Sequence, residues 1–535
     1  MRRAALRIAL ASLACVSLTA RCGGSERTGA ATPGKSRLQT ARKEVQVEKE
    51  KQAPPASGTA RDVSFPAIAR SSLKSGLEIN TVELHTLPVV YIELVIRSGS
   101  ASDPEAMPGL ARLTASMLKE GTARRSSAEL AEAIDFLGAR FHVGSGQETV
   151  TIRMQALGEH LEQALSIVAE VATRPAFDRK ELGKLKKREL ARLAMSLQDP
   201  GYLASREFFA RLYGQHPYAR IDTTPQVIKK VNGNHLRNWH RAHFVPNNAF
   251  LVVAGDVTAA AVERVVDRSF KNWKPRKVER KQYPRPPERE KRSVLLVDRP
   301  ESVQSVVFLG DLALPRNHAD YVPFLLANEV LGGSAASRLF MDLRERRGLT
   351  YGAYSTIYEK VDVAPFRVYV AVRNEATEEA LGALLEHLER ISGQAAPKTE
   401  LSHAKRYLVD SFPLRIDTPA KIADLLSDLR IFGLADDYWD TYRSRISEVS
   451  AREALAAASM YIRPDRALIV VVGKAAEIAR ALGKYGPVTV VDTEGRFILR
   501  PGGQEAAAGD GGNPPAAAKP ARDTKSKKKS HGTGE

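Results

Sequence analysis

The chain has 535 residues, 43% hydrophobic and 27% charged, with a formal net charge of +18. That length exceeds one ordinary core and suits roughly two to four domains. The only cysteines are Cys15 and Cys22, which excludes a disulfide framework or a cysteine metal site in the folded body. The positive excess comes without zinc-finger spacing, an aromatic stacking motif or a basic helix with heptads. It therefore describes a solvated, basic surface rather than a nucleic-acid binder.

The start, "MRRAALRIALASLACVSLTARCGG", places Arg2 and Arg3 before an apolar run of small residues. This is the build of a secretory signal peptide, spanning 1–22. No later run approaches the roughly 20 apolar residues of a transmembrane helix. A cysteine directly after such a run resembles a bacterial lipoprotein site. Cys22 has the better apolar length before it, although Arg21 departs from the usual small residue; Cys15 follows Ala14 but has a short run. The expectation is a periplasmic lipoprotein of the bacterial cell envelope, lipidated at Cys22 ahead of Cys15 and held to the membrane by that anchor. A secreted or soluble periplasmic protein is the alternative. Residues 23–62 are rich in Gly, Ser, Thr, Lys, Gln and Pro and predict a disordered tether. Residues 501–535 predict a disordered basic tail.

Between these ends, strand and helix patterns alternate. "TVELHTLPVVYIELVIRSG" is β-rich; helical periods follow at 109–120 and 126–138; "ARFHVGSGQETVTIRMQAL" reads as a hairpin about its Gly-Ser-Gly. "HLEQALSIVAEVAT" and the basic "RKELGKLKKRELARLAMSL" have helical spacing, "NAFLVVAGDVT" is a buried strand, and "AAAVERVVDRSFKNW" is a helix. Strands at 293–297 and 303–310 then precede the helix "YVPFLLANEVLGG". The strands "YGAYSTIYEK" and "PFRVYVAVR", the helix "TEEALGALLEHLERIS", a helix near 398–411 and the strand "RALIVVVG" complete the order.

The order repeats. "FVPNNAFLVVAGD" matches "IRPDRALIVVVGK", and Pro246 stands to Pro464 as Asp199 in "LQDP" stands to Asp417 in "IDTP", both about 218 residues apart. The implied architecture is α+β: two tandem homologous α/β-sandwich lobes, 63–275 and 293–500. The Pro- and charge-rich segment 276–292 would be a hinge between them, giving a clam-shell with a site between the lobes.

The segment "VIRSGSASDPEAMPGLARLTASMLKEGT" resembles the zinc-site frame of the insulinase/pitrilysin-type metallopeptidases: a Gly-Ser turn, a Pro-Gly-Leu-Ala entry and a Gly-Thr exit. That family carries H-x-x-E-H between entry and exit, and a third ligand on a later helix before an Asp-Pro turn. Laid on that frame, Arg112 and Ser116 stand at the histidines, Ala115 at the glutamate, and Arg192 in "ELARLAMSLQDP" at the third ligand. No H-x-x-E-H or H-E-x-x-H occurs in the chain. A guanidinium does not ligate zinc and repels it, so no metal is expected here and the helix serves as an amphipathic core element.

The second half keeps another element. "LGGSAASRLFMDLRERRGLTYGAYSTI" strongly resembles the family's C-terminal motif, within which an arginine and a tyrosine bind substrate; here these are Arg344 and Tyr351. An arginine fork grips a carbonyl or carboxylate, and a phenol donates to a carbonyl oxygen or oxyanion. Taken on spacing alone, the two would be a charged helix turn and a packed aromatic.

The resemblance implies a non-catalytic subunit of a heterodimeric peptidase, like the inactive chains of bacterial two-chain enzymes and of mitochondrial processing peptidase. Zinc would reside in a homologous catalytic partner. The substrate would be an extended or unfolded peptide, bound partly by addition to a sheet edge. A peptide-binding scaffold without a catalytic partner is the alternative. His240 and His243 in "HRAH" suggest surface or packing, His387 between Glu386 and Glu389 a solvated position, and "GGSAAS" a turn and helix cap. No G-x-S-x-G nucleophile elbow occurs.

Overall fold

A computed structural model describes residues 63–279 and 282–500, with Gly58 and a two-residue strand at 504–505. Cys15, Cys22 and the signal peptide lie outside the described residues, as does the expected tether apart from Gly58.

The first half contains β1 (Ala69–Ser72), β2 (Glu78–Glu83), β3 (Val89–Ile96), α1 (Leu110–Leu118), α2 (Ser127–Phe136), β4 (Arg140–Ser145) and β5 (Val150–Leu157). Then come α3 (Leu161–Thr173), α4 (Arg179–Ser196), α5 (Pro200–Tyr213), α6 (Pro225–Lys230), α7 (Gly233–His243), β6 (Ala249–Gly255) and α8 (Ala259–Phe270). The second half opens with β7 (Ser293–Asp298), β8 (Gln304–Leu312), α9 (Tyr321–Asn328), α10 (Arg338–Phe340), β9 (Ala353–Ile357) and β10 (Pro365–Arg373). It continues with α11 (Thr377–Gly393), α12 (Lys398–Asp410), α13 (Pro419–Phe432), α14 (Tyr438–Glu448), α15 (Ala451–Tyr461), β11 (Leu468–Gly473) and α16 (Ala475–Leu482). It closes with β12 (Val488–Val491), β13 (Phe497–Arg500) and β14 (Gln504–Glu505).

The sheet orders are β1-β2-β6-β3-β5-β4 and β14-β13-β12-β7-β11-β8-β10-β9. Five strands of each correspond one to one. β2 runs parallel to β6 as β7 does to β11, and every other neighbouring pair among the five is antiparallel. The repeat legible in the sequence is thus a repeat of topology. Beyond these five, the first sheet adds β1 and the second adds β12, β13 and β14, and β14 falls inside the segment expected to be disordered. The hairpin turn also sits later than expected: β4 runs through Ser145, and Gly146 N–H donates to Thr149 O across the turn.

β3 shows why its sequence is apolar almost throughout. Successive side chains point to opposite faces, and both faces are covered. Val90, Ile92, Leu94 and Ile96 pack with α1, α3 and α8. Tyr91 and Val95 face a helix of the other half, α13, through Leu425, Leu426 and Leu429. The exchange is reciprocal: Leu203, Phe208 and Leu212 of α5 pack on Val306, Phe308, Val470 and Val472 of the second sheet. Each such fully buried side chain contributes roughly 1.5–3 kcal/mol. The residues that reveal the repeat start these exchanged helices. Asp199 caps α5, its carboxylate accepting from Gly201 N–H at 2.8 Å, with Pro200 in the first turn; Thr418 caps α13 ahead of Pro419.

One polar contact fixes this interleaving. Glu93, 0% exposed, accepts from Arg153 Nε at 2.7 Å and from Ser427 Oγ of α13 at 2.7 Å. The segment expected to be a hinge makes contacts with both halves. Asn247 Nδ2 donates to Arg276 O at 2.8 Å, the Tyr283 ring lies 5.3 Å from that of His216, and Arg289 pairs with Asp311 at 2.5 Å.

Candidate functional site

α1 begins at Gly109, whose φ of +85° suits glycine; a Cβ there would lie 2.5 Å from Thr223 Cβ. Asp103 accepts the N–H groups of Gly109 and Ala111, each at 2.8 Å, and so holds the first turn. Seven of the nine α1 residues are buried, Ala115 among them. Arg112 and Ser116, one turn apart, share a half-buried edge.

α4 passes beside that edge, and the loop after α5 brings Asp222. Arg112 and Arg192 meet two carboxylates here. Glu189 Oε2 accepts from Arg112 Nη1 at 2.6 Å and Arg192 Nε at 2.8 Å. Asp222 Oδ1 accepts from Arg112 Nη2 at 3.0 Å and Arg192 Nη2 at 2.8 Å, and Oδ2 accepts from the same Arg192 nitrogen at 2.8 Å. Each acid bridges both arginines, so two positive and two negative charges close a ring. The carboxylates are nearly buried, with side-chain exposures of 10% and 9%. Tyr202 lies at its edge, with its hydroxyl 3.4 Å from Asp222 Oδ2. Burial alone would raise the Glu189 carboxyl, but the hydrogen bonds of Arg192 and Arg112 outweigh it and hold it below its ordinary value.

This donor set does not fit zinc. Two of its four members are cations, and both carboxylates are engaged by them. Among the described residues there is no group of three or more His, Cys, Asp or Glu placed to hold a metal. Glu189 and Asp222 are not evident in the sequence as site residues. Glu189 stands three before Arg192, a spacing that signals an ion pair on one helix face. Nothing local to Asp222 signals its part.

The second region surrounds Arg344. The chain enters through the Gly-rich turn, where a Cβ on Gly332 would lie 2.4 Å from Ser355 N, so the turn lies flat on β9. The widened helical turn Met341–Arg346 is anchored by Asp342, which takes hydrogen bonds from Arg346 Nε (2.7 Å) and Arg347 Nε (3.0 Å) and pairs with His387 Nε2 of α11 (2.8 Å). Burial would raise Asp342, yet Arg347, His387 and Arg346 hold it at about 2. His387 is therefore buried, not solvated as its neighbours Glu386 and Glu389 suggested; burial lowers its ring despite the Asp342 partner. The spacing Leu384, His387, Leu388, Ile391 places it on the apolar face of α11.

From this base Arg344 projects half-exposed, its guanidinium 4.7 Å from the Phe340 ring centre and 3.4 Å from Glu345 Oε1. Tyr351 is 91% exposed, at the tip of a turn held by Thr350 Oγ1 donating to Ala371 O at 2.7 Å. No hydrogen bond or ion pair among the described residues joins Arg344 to Tyr351, or either to the arginine–carboxylate ring. His240 packs: its Nε2 lies 2.8 Å from Ala172 O, its ring stacks 4.4 Å from that of Phe244, and burial lowers it to about 4.

Two family patterns match the chain: "Insulinase (Peptidase family M16)" over residues 79–220 and "Peptidase M16 inactive domain" over 230–408. A Bacillus subtilis protein described as an uncharacterized zinc protease, YmxG, is 25% identical over 353 residues, covering 66% of this chain and 85% of that one. A Helicobacter pylori non-peptidase homolog of the same designation is 24% identical over 375 residues, covering 69% and 86%. The crystal structure of a peptidase M16 inactive domain from Pseudomonas fluorescens superposes with a TM-score of 0.72 at 28% identity, covering 76% of this chain and 98% of that one. A Helicobacter pylori protease structure shares the fold, with a TM-score of 0.69 at 19% identity over 76% of this chain and 99% of that one.

Proposed function

Since the chain belongs to the insulinase-type M16 peptidase family, we propose that it is the non-catalytic, substrate-binding subunit of a two-chain zinc peptidase of the cell envelope. The arginine–carboxylate ring carries this reading. At the place where the family frame puts metal ligands, the ring satisfies its own charges and offers water activation nothing. The partner is a homologous chain with an intact H-x-x-E-H, and zinc belongs to that chain. Arg344 and Tyr351 are the groups this chain supplies. Tyr351 is a large amphipathic side chain with almost no cover of its own, which suits a contact made only when substrate and partner are present. Arg344 sits on a turn fixed by Asp342 and His387, so its fork is positioned before substrate arrives.

The substrate is an extended peptide. β9 is an edge strand of the second sheet, and it begins at Ala353, two residues after Tyr351. A peptide laid along β9 takes main-chain hydrogen bonds from that edge and brings its carbonyls toward the Tyr351 hydroxyl. The assembly sits in the cell envelope, held by a lipid on Cys22, as the basic start and apolar run of the sequence suggest.

The test is reconstitution with a homologous chain carrying H-x-x-E-H. Peptide cleavage is expected to require both chains and to stop when a chelator removes the partner's zinc. Cleavage by the catalytic chain that is indifferent to this one would contradict the proposal.

A further inference from the structure

A basic depression lies away from both regions above, on the first half where α3, α7 and α8 end. Its cavity of about 360 Å³ is lined by Arg174, Arg237, Arg241, Lys274 and Arg276, and by no carboxylate. None of the five takes part in an ion pair among the described residues, although ion pairs are frequent elsewhere on this surface, as at Arg268–Glu162 and Arg125–Glu170 nearby. The floor is apolar and fixed. Trp273 and Phe244 are buried, and the indole Nε1 donates to Phe244 O at 2.9 Å. His240, beneath, is held neutral by burial and adds no charge.

Local structure explains only part of this cluster. Arg174 caps the C-terminus of α3 and Arg241 lies in the last turn of α7, where a cation complements the helix dipole. Arg237 is different: its guanidinium folds back toward Gly233 in the first turn of α7, the positive end of that dipole, and donates to Asn234 Oδ1 at 2.8 Å. Lys274 and Arg276 lie beyond α8 and serve no helix end. The five residues line the pocket from three elements with no carboxylate among them, so a bound anion offsets the positive charge gathered there.

We propose that this pocket binds a phosphate group carried on a larger ligand. Four of the five cations are arginines, whose planar forks match phosphate oxygens in pairs. The volume suits a headgroup-sized ligand. The pocket also shares Arg174, Asn272 and Trp273 with a larger cavity of about 1110 Å³ between α2, α3 and α8. That neighbour carries apolar surface, with Phe136 85% exposed at its rim, so the body of a phosphate ester has room beside its phosphate. The ester is a soluble metabolite or a phospholipid headgroup; the chemistry at the pocket is the same.

The test uses the full chain, an Arg241→Glu/Lys274→Glu variant, and a control of equal charge change, Lys398→Glu/Arg480→Glu, at exposed positions of the second half. One arm titrates inorganic phosphate and glycerol 3-phosphate by calorimetry. The other sediments the protein with phosphatidylglycerol–phosphatidylcholine vesicles against phosphatidylcholine alone. Binding in either arm that weakens about 10-fold or more in the pocket variant, and not in the control, supports the site and identifies the source. Binding in neither arm, or equal weakening in both variants, overturns it.

Discussion

Replacing Arg344 by Ala and Tyr351 by Phe together lowers kcat/KM of the reconstituted two-chain peptidase by about 100-fold or more, roughly 2.7 kcal/mol of transition-state stabilisation. The effect divides by chemistry. Tyr351→Phe removes only a hydroxyl, which in the proposed role donates to the developing oxyanion, so its loss is expected on kcat. Arg344→Ala removes what in the proposed role is a grip on bound peptide before and during reaction, so its loss is expected mainly on KM. Neither side chain is buried, and the ion pair and ring contact of Arg344 among the described residues are with its neighbours Glu345 and Phe340. The thermal stability of the chain therefore stays unchanged in both variants, which separates a substrate role from a structural one. Unaltered kinetics in the double variant would remove the pair from the substrate site and leave a scaffolding role.

The second large effect is on stability. Glu189→Ala leaves Arg112 and Arg192 facing each other with only Asp222 between them. Breaking a fully buried pair costs about 3–5 kcal/mol, but Arg192 is 39% exposed and water screens part of the repulsion. The expected loss is about 2 kcal/mol by denaturant unfolding. Adding Arg112→Ala to that variant costs less than Arg112→Ala alone, because the two belong to one ring. Glu189→Gln, which keeps the shape, exposes the linkage. The folded Glu189 carboxyl lies below its ordinary value, so its stabilisation is present above the ordinary carboxylate range and is lost as pH falls through the folded value. The Gln variant lacks that part of the acid decline.

The frame of α1 and the tandem repeat were legible because both are written locally: entry and exit turns, helix caps, and apolar runs at fixed periods. Asp199 and Asp417 even mark the starts of the exchanged helices, but nothing near them says that each helix covers the other half's sheet. That choice depends on which apolar faces remain uncovered after both sheets form. The arginine ring was half legible. Arg112 and Arg192 stand out against the family frame, whereas Glu189 and Asp222 become their partners only through the packing of three separate elements. His387 was misjudged from its charged neighbours, although its helical period already placed it among Leu384 and Ile391. β12 and β13 are β-prone runs of only four residues, Val-Thr-Val-Val and Phe-Ile-Leu-Arg, set among Gly and charged residues, and their pairing, β12 on β7 and β13 on β12, is not written locally.

Where the family frame places metal ligands, this chain holds an arginine–carboxylate ring. The most direct test that the ring takes the place of metal chemistry is equilibrium dialysis of the purified chain alone against zinc, with peptide cleavage followed in the same samples. No stoichiometric zinc and no chelator-sensitive cleavage are expected, with the partner chain restoring both. One zinc held per chain, together with cleavage that a chelator abolishes, would contradict that expectation.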